Sequence, residues 1–198
     1  MKEFWEERFA NSEYIYGTAP NVFIREQLEK MKPGTGLFPA EGEGRNAVFA
    51  AQQGWQAQCY DYSKNARKKA LHLAAAADVT IGYQIADLSE LSLPGETYDA
   101  AFFSFMHLPP DIRTHVHRNI LNSLKPGGKV VMEVYHKKQL KYHTGGPGHP
   151  DMLYSRQVLE KDFEQGEISY YNEAERRVNE GRYHTGRSFT IRAVFTRK

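Results

Sequence analysis

The sequence predicts an α/β fold, a doubly wound and mostly parallel sheet that ends in an antiparallel edge pair. Three observations carry this. From residue 36 to residue 135, apolar runs alternate with segments of helical period, the pattern of parallel strands with helices on both faces. A glycine-containing turn, Ala40-Glu41-Gly42-Glu43-Gly44-Arg45-Asn46, stands between the first strand candidate and the helix that follows it. Two late segments, 167–171 and 188–196, alternate like strands, which fits an antiparallel edge pair.

Each element has a local reason. Residues 3–9 and 20–30 read as helices, the second entered at Pro20, a good first-turn residue. Residues 36–40 read as a short strand. Residues 45–53 form a helix with a small-residue face of Ala47, Ala50 and Ala51, stopped by Gly54. Residues 56–60 are the next strand, and 63–77 a helix with Ala66, Ala70, Leu73 and Ala77 on one face. Strands follow at 79–85 and 98–103. A helix at 111–124 turns Ile112, Val116, Ile120 and Leu124 inward, the run KPGG at 125–128 ends it, and 129–135 is a strand. Residues 137–152 hold Gly and Pro with little periodicity and read as a long loop, a length usually tied to function or disorder. Residues 155–164 read as a helix. No linker interrupts the pattern, so a single domain over 1–198 is expected. It has a helical cover at 1–30, a ligand-binding core at 36–135, and a loop with edge strands at 137–198.

Composition narrows the function classes. Hydrophobic residues make up 40% and charged residues 25% of 198, enough apolar material for a packed core. No run approaches the ~20 apolar residues of a membrane helix, and the opening MKEFWEERFA is charged rather than a leader. The single cysteine, Cys59, cannot form an internal disulfide, so a cytoplasmic setting is expected. A net charge of +2 does not point to a nucleic-acid partner. It does conceal a division: residues 1–100 hold 10 Lys+Arg against 14 Asp+Glu, and residues 101–198 hold 16 against 10, with seven of the eight histidines.

The turn at 40–46 lies where a nucleotide-binding unit places its glycines, which let a ligand approach the backbone at a helix start. Asp61 ends the second strand candidate 19 residues after Gly42, where a carboxylate can accept hydrogen bonds from both hydroxyls of a ribose. Asp61 can equally cap the next helix. Asp87 ends the third strand candidate, where it could face an adenine amine or stand as a surface loop residue. Glu41 and Glu43 would repel a pyrophosphate and favour a nucleoside bearing an ammonium and a sulfonium, the charge pattern of S-adenosylmethionine.

With AEGEGRN at 40–46, Asp61, ADL at 86–88 and LKPGGKVVMEVY at 124–135, the chain resembles a class I S-adenosylmethionine-dependent methyltransferase with a Rossmann-like sheet. Within that class it is most similar to the small tellurite-resistance-type enzymes, through YIYGTAPNVFI at 14–24, HLPPDIR at 107–113, HTGGPGHPDMLY at 143–154 and EGRYHTG at 180–186. The resemblance implies S-adenosylmethionine as cofactor and S-adenosylhomocysteine as product. It implies a donor site made by Glu41, Gly42, Gly44, Arg45, Asn46, Asp61, Tyr62, Ser63, Asp87, Leu88, Ser104 and Phe105. Arg45 could meet the cofactor carboxylate or be an ordinary first-turn residue. The class usually has an acidic residue in its first strand and a glycine opening its loop; Phe38 and Ala40 stand there, with Glu41 as the displaced carboxylate.

On the acceptor side, His107 is either a base or acceptor contact, or a structural histidine at a helix entry. Tyr14, Tyr16 and Asn21 are expected to close over the donor, while Phe4, Trp5 and Phe9 are expected to pack the first helix. His136, His143, His149 and His184 are expected to converge on the site, with His143 and His184 facing the acceptor. His72, His115 and His117 are expected to be exposed. No histidine pair has zinc-motif spacing, so no metal is expected. The resemblance and the basic second half imply methyl transfer to a small molecule, with a soft acceptor such as a tellurium or selenium oxyanion or a thiol. RNA or protein methylation, and a non-catalytic S-adenosylmethionine-binding module, are the alternatives.

Overall fold

The computed structural model describes residues 2–198. Its elements run α1 (Lys2–Arg8), α2 (Val22–Leu28), β1 (Thr35–Pro39), α3 (Arg45–Gln52), β2 (Gln56–Asp61), α4 (Lys64–Ala76), β3 (Gly82–Ile85), β4 (Tyr98–Ser104), α5 (Pro110–Ser123), β5 (Leu124–Tyr135), α6 (Arg156–Asp162), β6 (Gly166–Asn179) and β7 (Thr185–Arg197). One seven-stranded sheet takes them in the order β3-β2-β1-β4-β5-β7-β6. The first five strands are parallel, and β7 and β6 add antiparallel pairs at one edge. Chain order reverses between β1 and β4, and ligands of open α/β sheets bind outside the carboxyl ends of the strands at such a point.

Strand alternation builds a core on each face. Leu37, Phe103, Met132 and Val134 pack with Ile120, Leu121, Leu159 and Phe163 on the α5–α6 side. Phe38, Phe102, Val131 and Val194 pack with Phe23, Ile24, Ala47 and Ala70 on the α2–α3–α4 side. The alanines matter here because side chains this small let α3 and α4 lie close to the sheet and to each other.

Four expectations are corrected. Asn21, not Pro20, starts α2, its side chain accepting the Ile24 N–H. The inward face of α4 is Ala66, Ala70 and Ala74, with Leu73 and Ala77 only partly covered. Residues 137–152 contain two 3-10 turns, at Lys137–Lys141 and Pro150–Met152. The late strands are 14 and 13 residues long, longer than the short alternating runs, because cross-strand pairing carries polar positions that periodicity cannot claim. Among the described residues, no helix is long and apolar enough to cross a membrane.

Candidate active site

A cavity of about 220 Å³ opens at the reversal point, between the carboxyl ends of the parallel strands and α1. Its carboxylates are held by backbone. Glu41 accepts the N–H groups of Asn46 at 2.7 Å and Ala47 at 2.8 Å, two of the donors that the start of α3 leaves without intrahelical partners. Burial still outweighs these bonds and the Arg45 charge, and pushes its carboxyl up to about 7. Asp61 accepts from Gly42 N–H and Ser63 N–H, each at 3.0 Å; burial raises its carboxyl to about 6 against those bonds. Glu43 accepts the N–H groups of Ile15 and Tyr16 at 3.2 Å and pairs with Lys69, so the turn holds the 14–16 segment in place. Asp87 is exposed, and hydrogen bonds from Ser89 lower its pKa.

Of the donor residues read from the sequence, Glu41, Gly42, Arg45, Asn46, Asp61, Tyr62, Asp87, Leu88, Ser104 and Phe105 line this cavity. Gly44 and Ser63 do not. Gly44 sits behind the turn at φ +90°, where a Cβ would lie 2.7 Å from that of Ala70. Ser63 caps α4 and donates to Glu6 at 2.5 Å. Arg45 is buried, donating to Ser104 Oγ at 3.1 Å and pairing with Glu180 at 2.5 Å.

The N-terminal cover is corrected in detail. Tyr16 reaches the cavity, but the Tyr14 hydroxyl donates to the Lys69 carbonyl at 3.0 Å, away from it. Asn21 is fully buried behind the site, donating to Glu133 at 3.0 Å and Glu180 at 2.8 Å. Trp5 and Phe9, assigned to helix packing, line the cavity with Lys2. Their i, i+4 spacing on one face of a charged helix was the available signal.

A second hollow of about 730 Å³ adjoins the first and shares Trp5, Tyr16, Phe105, His107 and His184 with it. His184 stands at the junction, its ring 4.5 Å from that of Tyr16 and 4.4 Å from that of Phe105. Its Nδ1 is buried without a hydrogen-bond partner, and burial holds its pKa well below the usual value. His143 and His149 line only the second hollow. His136 lines neither; it packs on Phe189 at 5.0 Å. Three of the four late histidines, His143, His149 and His184, therefore share the second hollow, His184 also reaches the first cavity, and His136 stands apart. His117, expected at the surface, is fully buried, with Nδ1 3.0 Å from Asp162.

His107 has both ring nitrogens engaged. Nδ1 lies 2.8 Å from the Met152 carbonyl, and Nε2 accepts the Tyr135 N–H at 3.3 Å. These partners define one neutral tautomer, with the proton on Nδ1. Burial lowers its pKa to about 4. The ring thus joins the end of β5 to the 150–152 turn, which Arg113 also grips through the Asp151 carbonyl at 2.9 Å.

A five-strand parallel core, an antiparallel edge pair and a glycine turn facing strand-end carboxylates define a class I methyltransferase fold, the S-adenosylmethionine-dependent class. Residues 39–128, a little under half of the chain, match a family model described as a methyltransferase domain. No curated protein sequence matches the chain. Three solved structures show the likeness of fold. One, described under the conversion of a disulfide bond into a thioacetal group during echinomycin biosynthesis, has a TM-score of 0.83 at 18% identity, covering 100% of this chain and 92% of its own. The N-methyltransferase NodS from Bradyrhizobium japonicum, in complex with S-adenosylhomocysteine, gives 0.76 at 15%, covering 99% and 97%. TehB from Haemophilus influenzae gives 0.75 at 16%, covering 98% and 67%.

Proposed function

We propose that the protein transfers the methyl group of S-adenosylmethionine to a small-molecule acceptor carrying a soft nucleophile, a chalcogen oxyanion or a thiol. The observation that carries this reading is the pairing of two hollows through one wall. The first is lined by Glu41, Glu43, Asp61 and Asp87, and the second by no carboxylate. A cationic donor suits the first and an electron-rich acceptor the second. TehB and the protein of the echinomycin study are the relatives that lend weight to soft acceptors.

Bound there, S-adenosylmethionine supplies a methyl group already activated on a sulfonium. The protein's task is alignment and exclusion of water. Asp61, already aligned by two backbone N–H groups, accepts the ribose hydroxyls. Asp87 and Leu88 face the adenine, and Tyr62 and Ser63 shape the turn beside the ribose. Glu41, Gly42, Gly44 and Asn46 form the cofactor turn, with Gly44 acting from behind it. Arg45 and Ser104 hold the amino-acid end, and Phe105 with Tyr16 walls off the methyl from water. Tyr14 and Asn21 support that wall through Lys69 and Glu180, while His143 and His184 face the acceptor. His107 acts as a positioning residue. One domain spans the chain in this reading, and the single buried cysteine, Cys59, suits a cytoplasmic setting.

Calorimetry with S-adenosylmethionine and S-adenosylhomocysteine tests the donor half. An acceptor screen over thiols and chalcogen oxyanions, read as S-adenosylhomocysteine formed, tests the transfer. Absence of donor binding at millimolar concentration defeats the reading.

A further inference from the structure

We infer that the second hollow is a subsite for an organic anion with a flat apolar body, gripped by Arg8 and Arg182 beside Tyr183. This deepens the methyl-transfer reading and rests on it for the identity of the acceptor. The first observation is charge. No Asp or Glu lines this hollow, while Arg8, Arg182, His143 and His149 do. Among the described residues, neither Arg8 nor Arg182 has a carboxylate partner, although ten other basic side chains in the chain do.

The second observation is how Arg8 is held. Its guanidinium carbon lies 4.3 Å from the ring centre of Phe4 and 4.3 Å from that of Tyr183. Aromatic rings against a guanidinium fix its plane and weaken its hydration. One donor, Nη1, reaches the Tyr16 hydroxyl at 3.1 Å; the other N–H groups of the fork have no acceptor among the described residues. A ring-flanked, partly dehydrated fork with spare donors is suited to a carboxylate or a similar planar anion. Arg182 lies 5.7 Å from the Tyr183 ring, which places a second guanidinium on the same aromatic platform.

The third observation is size and surface. Phe4 is 51% exposed and Tyr183 40% exposed, so both rings still present apolar surface beside the guanidinium. A hollow of about 730 Å³ falls within the ~300–1,000 Å³ of sites that take organic ligands. A bare oxyanion would use the charge and leave the rings idle. In the transfer itself, a thiolate sulfur on such a molecule attacks the methyl carbon and the donor's C–S bond breaks. The products are a methyl thioether and S-adenosylhomocysteine, and the thiol proton passes to solvent.

The test titrates the full chain, with and without S-adenosylhomocysteine, with three probes: 4-mercaptobenzoate, 4-mercaptobenzamide and selenite. The expected result is 4-mercaptobenzoate binding at least about tenfold tighter than the amide, weakening as salt rises. Selenite should bind more weakly than 4-mercaptobenzoate. Arg182→Gln and Arg8→Gln should each abolish the preference for the anion, Arg8→Lys should restore it only in part, and Tyr183→Leu should weaken both ring compounds. Equal binding of acid and amide, or a preference that survives both glutamine variants, overturns the anion grip. Selenite binding as tight as 4-mercaptobenzoate overturns the flat body. Failure of S-adenosylhomocysteine to bind overturns the donor reading alone, because the probe titrations without it still decide the subsite.

Discussion

Arg45 Nη2 lies 2.5 Å from the carboxylate of Glu180, and both side chains are nearly closed to solvent. The pair joins the first turn of α3 to the connection between β6 and β7, far apart in sequence. Burial holds the Glu180 carboxyl above the usual range even with Arg45 beside it. Asn21 donates to the same carboxylate and to Glu133, so one cluster ties the start of α2, the glycine turn and the β6–β7 connection together.

Removing one member of a buried pair leaves the other uncompensated, at a cost of about 3–5 kcal/mol. Glu180→Gln should therefore lower the unfolding free energy by about 3 kcal/mol. Adding Arg45→Gln to it should cost less than the sum of the single changes. Chemical denaturation of the four proteins checks this, and additive losses would show that the two side chains are not coupled.

Glu41 makes stability depend on pH in a defined direction. Its carboxyl is raised from 4.5 to about 7 in the fold, so the folded state holds its proton longer than the unfolded chain does. That contribution is fully present below 4.5 and is lost as pH rises through about 7. His107, lowered to about 4, works in the opposite direction below 6.5, so the useful quantity is a difference. Glu41→Gln should gain stability relative to the wild type between pH 4.5 and pH 7 and stay level above that. A cation in the same cavity favours the ionised carboxyl. The preference for S-adenosylmethionine over S-adenosylhomocysteine should thus rise with pH through about 7 in the wild type and be flat in the variant.

The glycine turn shows what sequence can and cannot convey. Its place, and the carboxylates at the ends of β1, β2 and β3, were legible because strand ends follow apolar runs. The division of labour within the turn was not. Gly44 looks like a ligand contact in the sequence, yet it faces Ala70. Ala40, where a glycine is expected, has φ +50° and lines the cavity. His117 looked exposed because its partner Asp162 is 45 residues away, and no local pattern reports such a bond. Trp5 reads as packing the first helix for the same reason: nothing near it in sequence reports the cavity that it lines.

Opposite substitutions at these two turn positions follow. Ala40→Gly should relieve a left-handed backbone at a non-glycine residue and cost no stability. Gly44→Ala would place its Cβ 2.7 Å from the Ala70 Cβ and 2.9 Å from its Cα, and should lower stability by about 1–3 kcal/mol or more. Thermal unfolding of the two variants reads the contrast directly, and a tolerated Gly44→Ala would mean that α3 and α4 can part.

His107 should prove structural in a kinetic test. With a pKa of about 4, its ring does not titrate between pH 5 and 8. Once the screen supplies an acceptor, His107→Ala should reduce stability by about 1–3 kcal/mol and leave the shape of the kcat–pH profile unchanged. Asn at 107, which can still donate to the Met152 carbonyl, should recover part of the stability. Loss of an ionisation from the profile in the alanine variant would instead make the ring a base.

The cover helix α1 should move when the donor enters. The first cavity is about 220 Å³, below the ~300–1,000 Å³ typical of ligand sites, and Lys2, Trp5 and Phe9 form one of its walls. No residue of α1 is buried. Its ties to the body include Glu6 bonds to Ser63 at 2.5 Å and to Asn65, beside the Arg8 contacts. A helix held so lightly is the wall that can yield. In a Trp55→Phe background, Trp5 is the sole tryptophan, so its emission reports on α1. Titration with S-adenosylhomocysteine should shift that emission with the same midpoint as calorimetry. Glu6→Gln should weaken donor binding by loosening the tie to Ser63. Saturation by calorimetry with no change at Trp5 would mean that the cavity enlarges elsewhere and that α1 is a fixed wall.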